Sequence, residues 1–176
     1  MRTLLLLRHA KSSWQAPELA DVDRPLAPRG RQAAPLIAQL IVKRRWLPDL
    51  VLCSPALRVR ETWQLMAPVL GEGIVCKTLR TIYPGAPSRL LATLHRADDE
   101  ARTLMLIGHN PGLATFAASL CGRASSGGGS KKALEKMTAK FPTAGLAVIG
   151  FDAEHWSEVT TGAGRLEAFV RPKDLG

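Results

Sequence analysis

The sequence predicts a three-layer α/β domain, with helices on both faces of a mostly parallel sheet. Three observations carry that reading. Short apolar runs alternate with amphipathic helical stretches along most of the chain. The strongest of these runs are apolar throughout and too short to be helices. At 176 residues and 46% hydrophobic, the chain has the length and the apolar content for a single domain spanning 1–176.

Taken in order, Thr3 to Leu7 reads as a buried strand, followed by a loop from Lys11 to Arg29 that Pro25, Pro28 and Gly30 punctuate. Arg31 to Arg45 is helical, because Ala34, Ile37, Ala38, Ile41 and Val42 share one face. Pro48-Asp49 ends that element, and Leu50 to Cys53 is the second buried strand. Ser54-Pro55 has the form of an N-cap and an N1 proline opening a helix through Leu70. After a turn at Gly71 to Gly73, Ile74 to Lys77 is a short strand. Ser88 is positioned to cap a helix from Arg89 to Ala97, with Leu90, Leu91 and Leu94 inward. Thr103 to Ile107 is a strand, Gly108 to Gly112 a turn, and Leu113 to Leu120 a helix. Ser125 to Ser130 reads as a Gly/Ser surface loop and Lys131 to Lys140 as an amphipathic helix with a solvated cationic face. Leu146 to Phe151 and Leu166 to Val170 are the last strands, free to run antiparallel to the others.

The formal net charge is +9, and the first 60 residues hold 11 Lys/Arg against 4 Asp/Glu. A field of that sign recruits anions, whether phosphate groups, nucleic acid or an acidic surface. No apolar run reaches the ~18 residues of a membrane span, and Met1 to Leu7 is too short for a signal-peptide core. Cys53, Cys76 and Cys121 are odd in number and lack C-x-x-C spacing, which favours a reducing, cytoplasmic setting over a disulfide or zinc framework. The histidines, His9, His95, His109 and His155, show no metal-ligand spacing, so neither a metal nor a cofactor is expected. A nucleic-acid-binding module is the competing reading from another class. Aromatic content of 5%, with Tyr83 the sole tyrosine, counts against it.

In open α/β sheets, ligands bind outside the carboxyl ends of the strands. Three such ends carry chemistry: Arg8-His9, Ser54-Pro55-Ala56-Leu57-Arg58 and Gly108-His109-Asn110-Pro111-Gly112. Arginines grip phosphate bidentately, helix N-termini add N–H donors, and a neutral histidine can attack phosphorus. Each piece alone is ordinary. Their recurrence at successive strand ends points to metal-free phosphoryl transfer. His95 reads as a plain surface residue, and His155 as a loop residue packing on the neighbouring Trp156.

These motifs, Leu-Leu-Arg8-His9-Ala10-Lys11-Ser12, Asp23-Arg24-Pro25-Leu26, Arg29-Gly30, Ser54-Pro55-Ala56-x-Arg58 and Gly108-His109-Asn110-Pro111, resemble the histidine phosphatase superfamily. Within it they look like the SixA-type phosphohistidine phosphatases, with Ala10 where the family usually has glycine. The resemblance implies a phosphoglycerate mutase-like fold. It makes His9 the transiently phosphorylated nucleophile, with Arg8, Arg58 and His109 completing the phosphate pocket. Ser12 and Asn110 are assigned to substrate binding. His109 would donate a hydrogen bond to the phosphoryl oxygens. His9 would be held neutral by a bond from its other N–H to a backbone carbonyl, and the field of Arg8 and Arg58 would lower its pKa.

The leaving-group acid of the family has no counterpart at its usual positions. Lys77 to Ala97 contains no Asp or Glu, and Asn110 follows the second histidine where another branch has an acid. Asp23 and Glu61 are the substitutes open to it, although Glu61 reads more simply as a helix-surface partner of Arg58 or Arg60. A site without a strong acid suits the labile P–N bond of a phosphohistidine better than a stable monoester. The short chain implies an open site, fit for a phosphorylated protein such as a histidine-containing phosphotransfer domain. A small phosphate ester or nucleotide is the alternative substrate. Trp14 is open to two readings, partner contact or packing on the sheet edge. Lys11, Arg24, Arg29 and Arg31 would extend a positive rim around the site.

Overall fold

The computed structural model describes residues 1–121 and 131–175; the Gly/Ser stretch Ser125 to Ser130 lies outside them. Six strands form one sheet in the spatial order β3-β2-β4-β1-β5-β6. They are β1 (Arg2–Arg8), β2 (Leu50–Cys53), β3 (Val75–Thr78), β4 (Thr103–Gly108), β5 (Leu146–Phe151) and β6 (Arg165–Val170). The four strands from β3 to β1 run parallel, whereas β5 is antiparallel to both β1 and β6. The helices are α1 (Pro28–Arg44), α2 (Leu57–Leu70), α3 (Pro87–His95), α4 (Gly112–Cys121) and α5 (Lys131–Ala139).

The central strands are apolar throughout because both of their faces are covered. Leu4 and Leu6 of β1 enter one core with Leu104 and Leu106, beneath Leu90 and Leu94 of α3 and Leu113 and Phe116 of α4. Leu5 and Leu7 point the other way, to Met105 and Ile107, beneath Ala34, Ile37, Ala38 and Ile41 of α1 and Val59 and Met66 of α2. Each of the four leucines is fully buried. At about 1.5–3 kcal/mol per buried leucine, this alternation is a main source of the fold's stability and fixes the register of β1.

Three helix starts differ from the sequence reading. Helix α1 begins at Pro28, not Arg31, because proline pre-sets the first helical turn. Ser88 does not cap α3: Ala86 holds that position and Pro87 is the first helical residue. Ser54 is not the N-cap of α2 either; Ala56 is, and the Ser54 hydroxyl is used elsewhere. His95 is half-buried, hydrogen-bonded through Nε2 to the Val159 carbonyl 2.7 Å away, and is no plain surface residue. His155 caps the 3-10 turn Trp156–Glu158 and pairs with Asp99 at 2.9 Å, so its partner is a carboxylate rather than the indole. Among the described residues, no helix is long and apolar enough to cross a membrane.

Candidate active site

Strand register brings the three motifs together. Arg8 lies opposite Gly108 in the β1–β4 pairing, and Cys53 opposite Ile107 in the β2–β4 pairing. The chain continues from these ends with His9 N–H bonded to the Gly108 carbonyl (3.1 Å) and Ser54 N–H to that of Ile107 (3.2 Å). His9, Ser54 and His109 therefore leave the sheet side by side, at its carboxyl edge. His9 and His109 border a cleft of about 310 Å³ lined also by Arg8, Arg58, Ser12, Asn110, Lys11, Arg24, Asp21 and Tyr83, with Ser54 buried behind His109. All six residues assigned to the site from sequence line this one cleft.

His9 is 6% exposed, and its Nδ1 lies 2.7 Å from the carbonyl oxygen of Ala10. A carbonyl can only accept, so Nδ1 carries the proton and Nε2 keeps its lone pair. Burial is the main cause that pushes the His9 pKa down to about 3, opposed by the bond to Ala10. His109, Arg58 and Arg8 add smaller effects in the same direction, so the two arginines contribute but do not dominate. The ring is thus neutral across the physiological range, with the Nε2 lone pair unprotonated.

His109 stands 5.3 Å from His9, ring centre to ring centre. Its Nδ1 accepts from Arg58 at 3.3 Å, and its Nε2–H donates to Ser54 Oγ at 2.7 Å. Ser54 Oγ also accepts the Ala56 N–H, so this buried hydroxyl joins the entry of α2 to the His109 ring. Burial, then Arg58, push the His109 pKa down to about 4.

Arg8 is tied by Nη1 to the Phe141 carbonyl (3.1 Å), and the Asn110 amide reaches the same oxygen at 2.8 Å. Ala144 N–H is shared by the Arg8 and His9 carbonyls, each 3.0 Å away. This pins the Arg8-His9 pair to the segment before β5. Arg58 is 5% exposed and donates to the Asp21 backbone carbonyl (2.6 Å) and carboxylate (3.0 Å). The Nε atoms of Arg8 and Arg58 are buried and unpartnered, donors held without acceptors in a pocket of four cations and one carboxylate. Such a site is built for an anion.

A family model described as "Histidine phosphatase superfamily (branch 1)" matches residues 4–103. The chain belongs to the histidine phosphatase superfamily. The uncharacterised protein Rv1276c of Mycobacterium tuberculosis is 35% identical over 168 residues, covering 95% of this chain and 100% of its own. A solved structure from Agrobacterium tumefaciens, assigned as phosphohistidine phosphatase SixA, aligns with a TM-score of 0.79 and 32% identity over 97% of this chain and 98% of that one. The protein histidine phosphatase SixA solved with tungstate aligns with a TM-score of 0.78 over 99% of both chains, at 22% identity, a likeness of fold. The fold is thus the phosphoglycerate mutase-like α/β fold of histidine phosphatases, and the chain is a phosphatase of that superfamily.

Two residues of this histidine phosphatase site escaped the sequence reading. Asp21 lies in a 3-10 turn, Asp21–Asp23, where its carboxylate takes hydrogen bonds from Tyr83 (2.6 Å), Arg58 (3.0 Å) and Arg24 (3.1 Å). Tyr83 first, then Arg58, hold its carboxyl far below the usual carboxylate range. Asp23, the neighbour named from sequence, is exposed and does not line the cleft. Glu61 accepts from Leu26 N–H (2.7 Å) and faces Arg31 (3.5 Å), so it pairs with neither Arg58 nor Arg60. Arg24 is 7% exposed, and its Nη1 is held by Ser12 Oγ at 2.8 Å. Trp14, 69% exposed, stacks on the Arg24 guanidinium 3.5 Å from its ring centre and not on the sheet edge.

Proposed function

We propose that this chain is a metal-independent phosphohistidine phosphatase that dephosphorylates a protein through a covalent phosphohistidine intermediate on His9. The observation that carries this reading is the set of donors on the one carboxylate lining the cleft among the described residues: Asp21 accepts from Tyr83, Arg58 and Arg24. Asp21 is held ionised by Tyr83 and Arg58, so it has no proton to give an alkoxide at neutral pH. A phosphohistidine protonated on its far ring nitrogen leaves as neutral imidazole and needs no such donor.

In the first step His9 Nε2 attacks phosphorus and the substrate's P–N bond breaks, its electron pair returning to the departing imidazole. In the second, water attacks the phosphoryl group on His9 Nε2. That P–N bond breaks in turn, inorganic phosphate leaves with the water's oxygen, and the neutral ring is restored. Arg8 and Arg58 meet the charge that builds on the phosphoryl oxygens in both steps.

The test is turnover of a phosphorylated histidine-containing phosphotransfer domain beside a panel of sugar and nucleotide phosphates, with and without chelator. The expected result is preference for the phosphoprotein, indifference to chelator, and an acid-labile, alkali-stable label that His9→Ala abolishes. Preference for a sugar phosphate, or full turnover by His9→Ala, overturns the reading.

A further inference from the structure

A second cleft, of about 410 Å³, adjoins the catalytic one and shares Lys11 and Thr143 with it. Its walls hold Lys11, Arg29, Lys140, Arg171 and Lys173, and no Asp or Glu lines it. Arg171 is paired with Asp174 at 2.8 Å, whereas Lys11, Arg29, Lys140 and Lys173 have no ion-pair partner among the described residues. These four come from separate parts of the chain: the loop after β1, the first turn of α1, the residue after α5, and the 3-10 turn Pro172–Leu175. Lys140 therefore belongs to a cleft wall, beyond the solvated helix face expected of its segment. Gathering unpaired like charges around one concavity costs stability unless something anionic comes to it.

The chemistry of the walls selects the anion. A single phosphate is best held by arginine forks and converging N–H groups. Here one arginine is already engaged by Asp174, and most of the remaining cations are lysines, flexible point charges set around a rim. The rest of the lining is largely apolar, with Ala33, Pro142, Ala144 and Pro172 beside Thr143. Spaced ammonium groups among apolar side chains fit spaced carboxylates on a protein surface.

We propose that this cleft docks an acidic segment of the phosphoprotein substrate, placing carboxylates against Lys140, Lys173 and Arg29 while the phosphorylated side chain enters the neighbouring pocket. The proposal rests on the phosphohistidine-protein reading, and it adds a specificity surface that touches no reacting atom.

Two measurements test it separately from that reading. On a phosphorylated phosphotransfer domain, Lys140→Glu/Lys173→Glu should lower kcat/KM about tenfold through KM and flatten its salt dependence, while p-nitrophenyl phosphate turnover changes less than about twofold. Arg29→Glu, on another element, should act in the same direction. Equal losses on both substrates, or no loss on the protein, overturn the docking surface. The second measurement needs no turnover: anisotropy of a fluorescent hexaglutamate peptide at low salt. Binding should weaken about tenfold in the double variant and also in Arg29→Glu. If the wild type turns over no phosphohistidine protein, the proposed function fails, and this binding result still decides the cleft. Unchanged peptide binding in the variants overturns it. So does a variant that loses competition by inorganic pyrophosphate but keeps the peptide, because the cleft would then be a second phosphate subsite.

Discussion

Arg58 Nη2 lies 3.3 Å from Nδ1 of His109, and this contact sets the tautomer of the ring. A guanidinium has no acceptor, so Nδ1 must hold a lone pair, and the ring's one proton sits on Nε2 against Ser54. In this arrangement Nδ1 has no N–H to offer a phosphoryl oxygen, so the donor role expected of His109 requires that ring to gain a proton. An arriving dianion draws the Arg58 donor to itself and favours a protonated His109. Binding of sulfate, which does not itself titrate near neutrality, should take up a proton at pH 6. Calorimetry in two buffers of different ionisation enthalpy reads this directly. His109→Gln should bind sulfate without proton uptake, and a wild type that takes up none shows that His109 stays neutral when the anion binds.

His9 carries a second pH signature, in stability. Its folded pKa is about 3, against an unfolded value of roughly 6.5, so the unfolded chain binds the proton first as pH falls. The neutral ring costs nothing above roughly pH 6.5, and the fold is progressively destabilised below it, down to about pH 3. His109, with a folded value of about 4, acts in the same sense. Thermal melts of His9→Asn should show a shallower loss of Tm between roughly pH 6.5 and 4 than wild type. Identical slopes would mean that His9 is free to ionise in the folded protein.

Much of this site was legible because it sits where the chain is most constrained. Arg8-His9 and Gly108-His109 directly follow apolar runs that leave little choice but buried parallel strands, so their convergence followed from topology. Ser54 was misassigned because Ser-Pro before an apolar run is a good capping signal. Only the tertiary position of His109 shows that the hydroxyl has a better partner. Asp21 and Tyr83 were invisible for another reason. They meet across 62 residues, from two irregular segments with no periodicity to read. Asp21 and Asp23 share one turn, and only the direction of that turn decides which carboxylate faces Arg58.

Asp21 is a positioning residue, and its substitution separates that role from acid catalysis. It anchors Arg58 twice, by its backbone carbonyl and its carboxylate. Asp21→Asn keeps the carbonyl contact and weakens the other, so kcat/KM should fall roughly tenfold. The fall should be the same for p-nitrophenyl phosphate and for an alkyl phosphate, because no proton from Asp21 reaches the leaving group. A loss confined to the alkyl ester, whose alkoxide needs a proton, would make Asp21 the acid after all.

Gly30 shows how the helix start controls the catalytic loop. It lies in the first turn of α1, where an added Cβ would collide with the Lys11 carbonyl oxygen and come within 2.8 Å of the Lys11 nitrogen. Both obstacles are backbone, so no side chain can swing aside. The Lys11 carbonyl is itself held by Ala27 N–H at 2.8 Å, so moving it breaks the bond that joins the loop to the helix. Gly30→Ala should destabilise the protein by about 1–3 kcal/mol and lower Tm by roughly 3–10 °C. Turnover should fall as well, measured well below the new Tm, because Lys11 is two residues from His9 and lines the same cleft. A Tm within about 1 °C of wild type would show that the loop yields without cost, and that the close approach of α1 does not hold His9 in place.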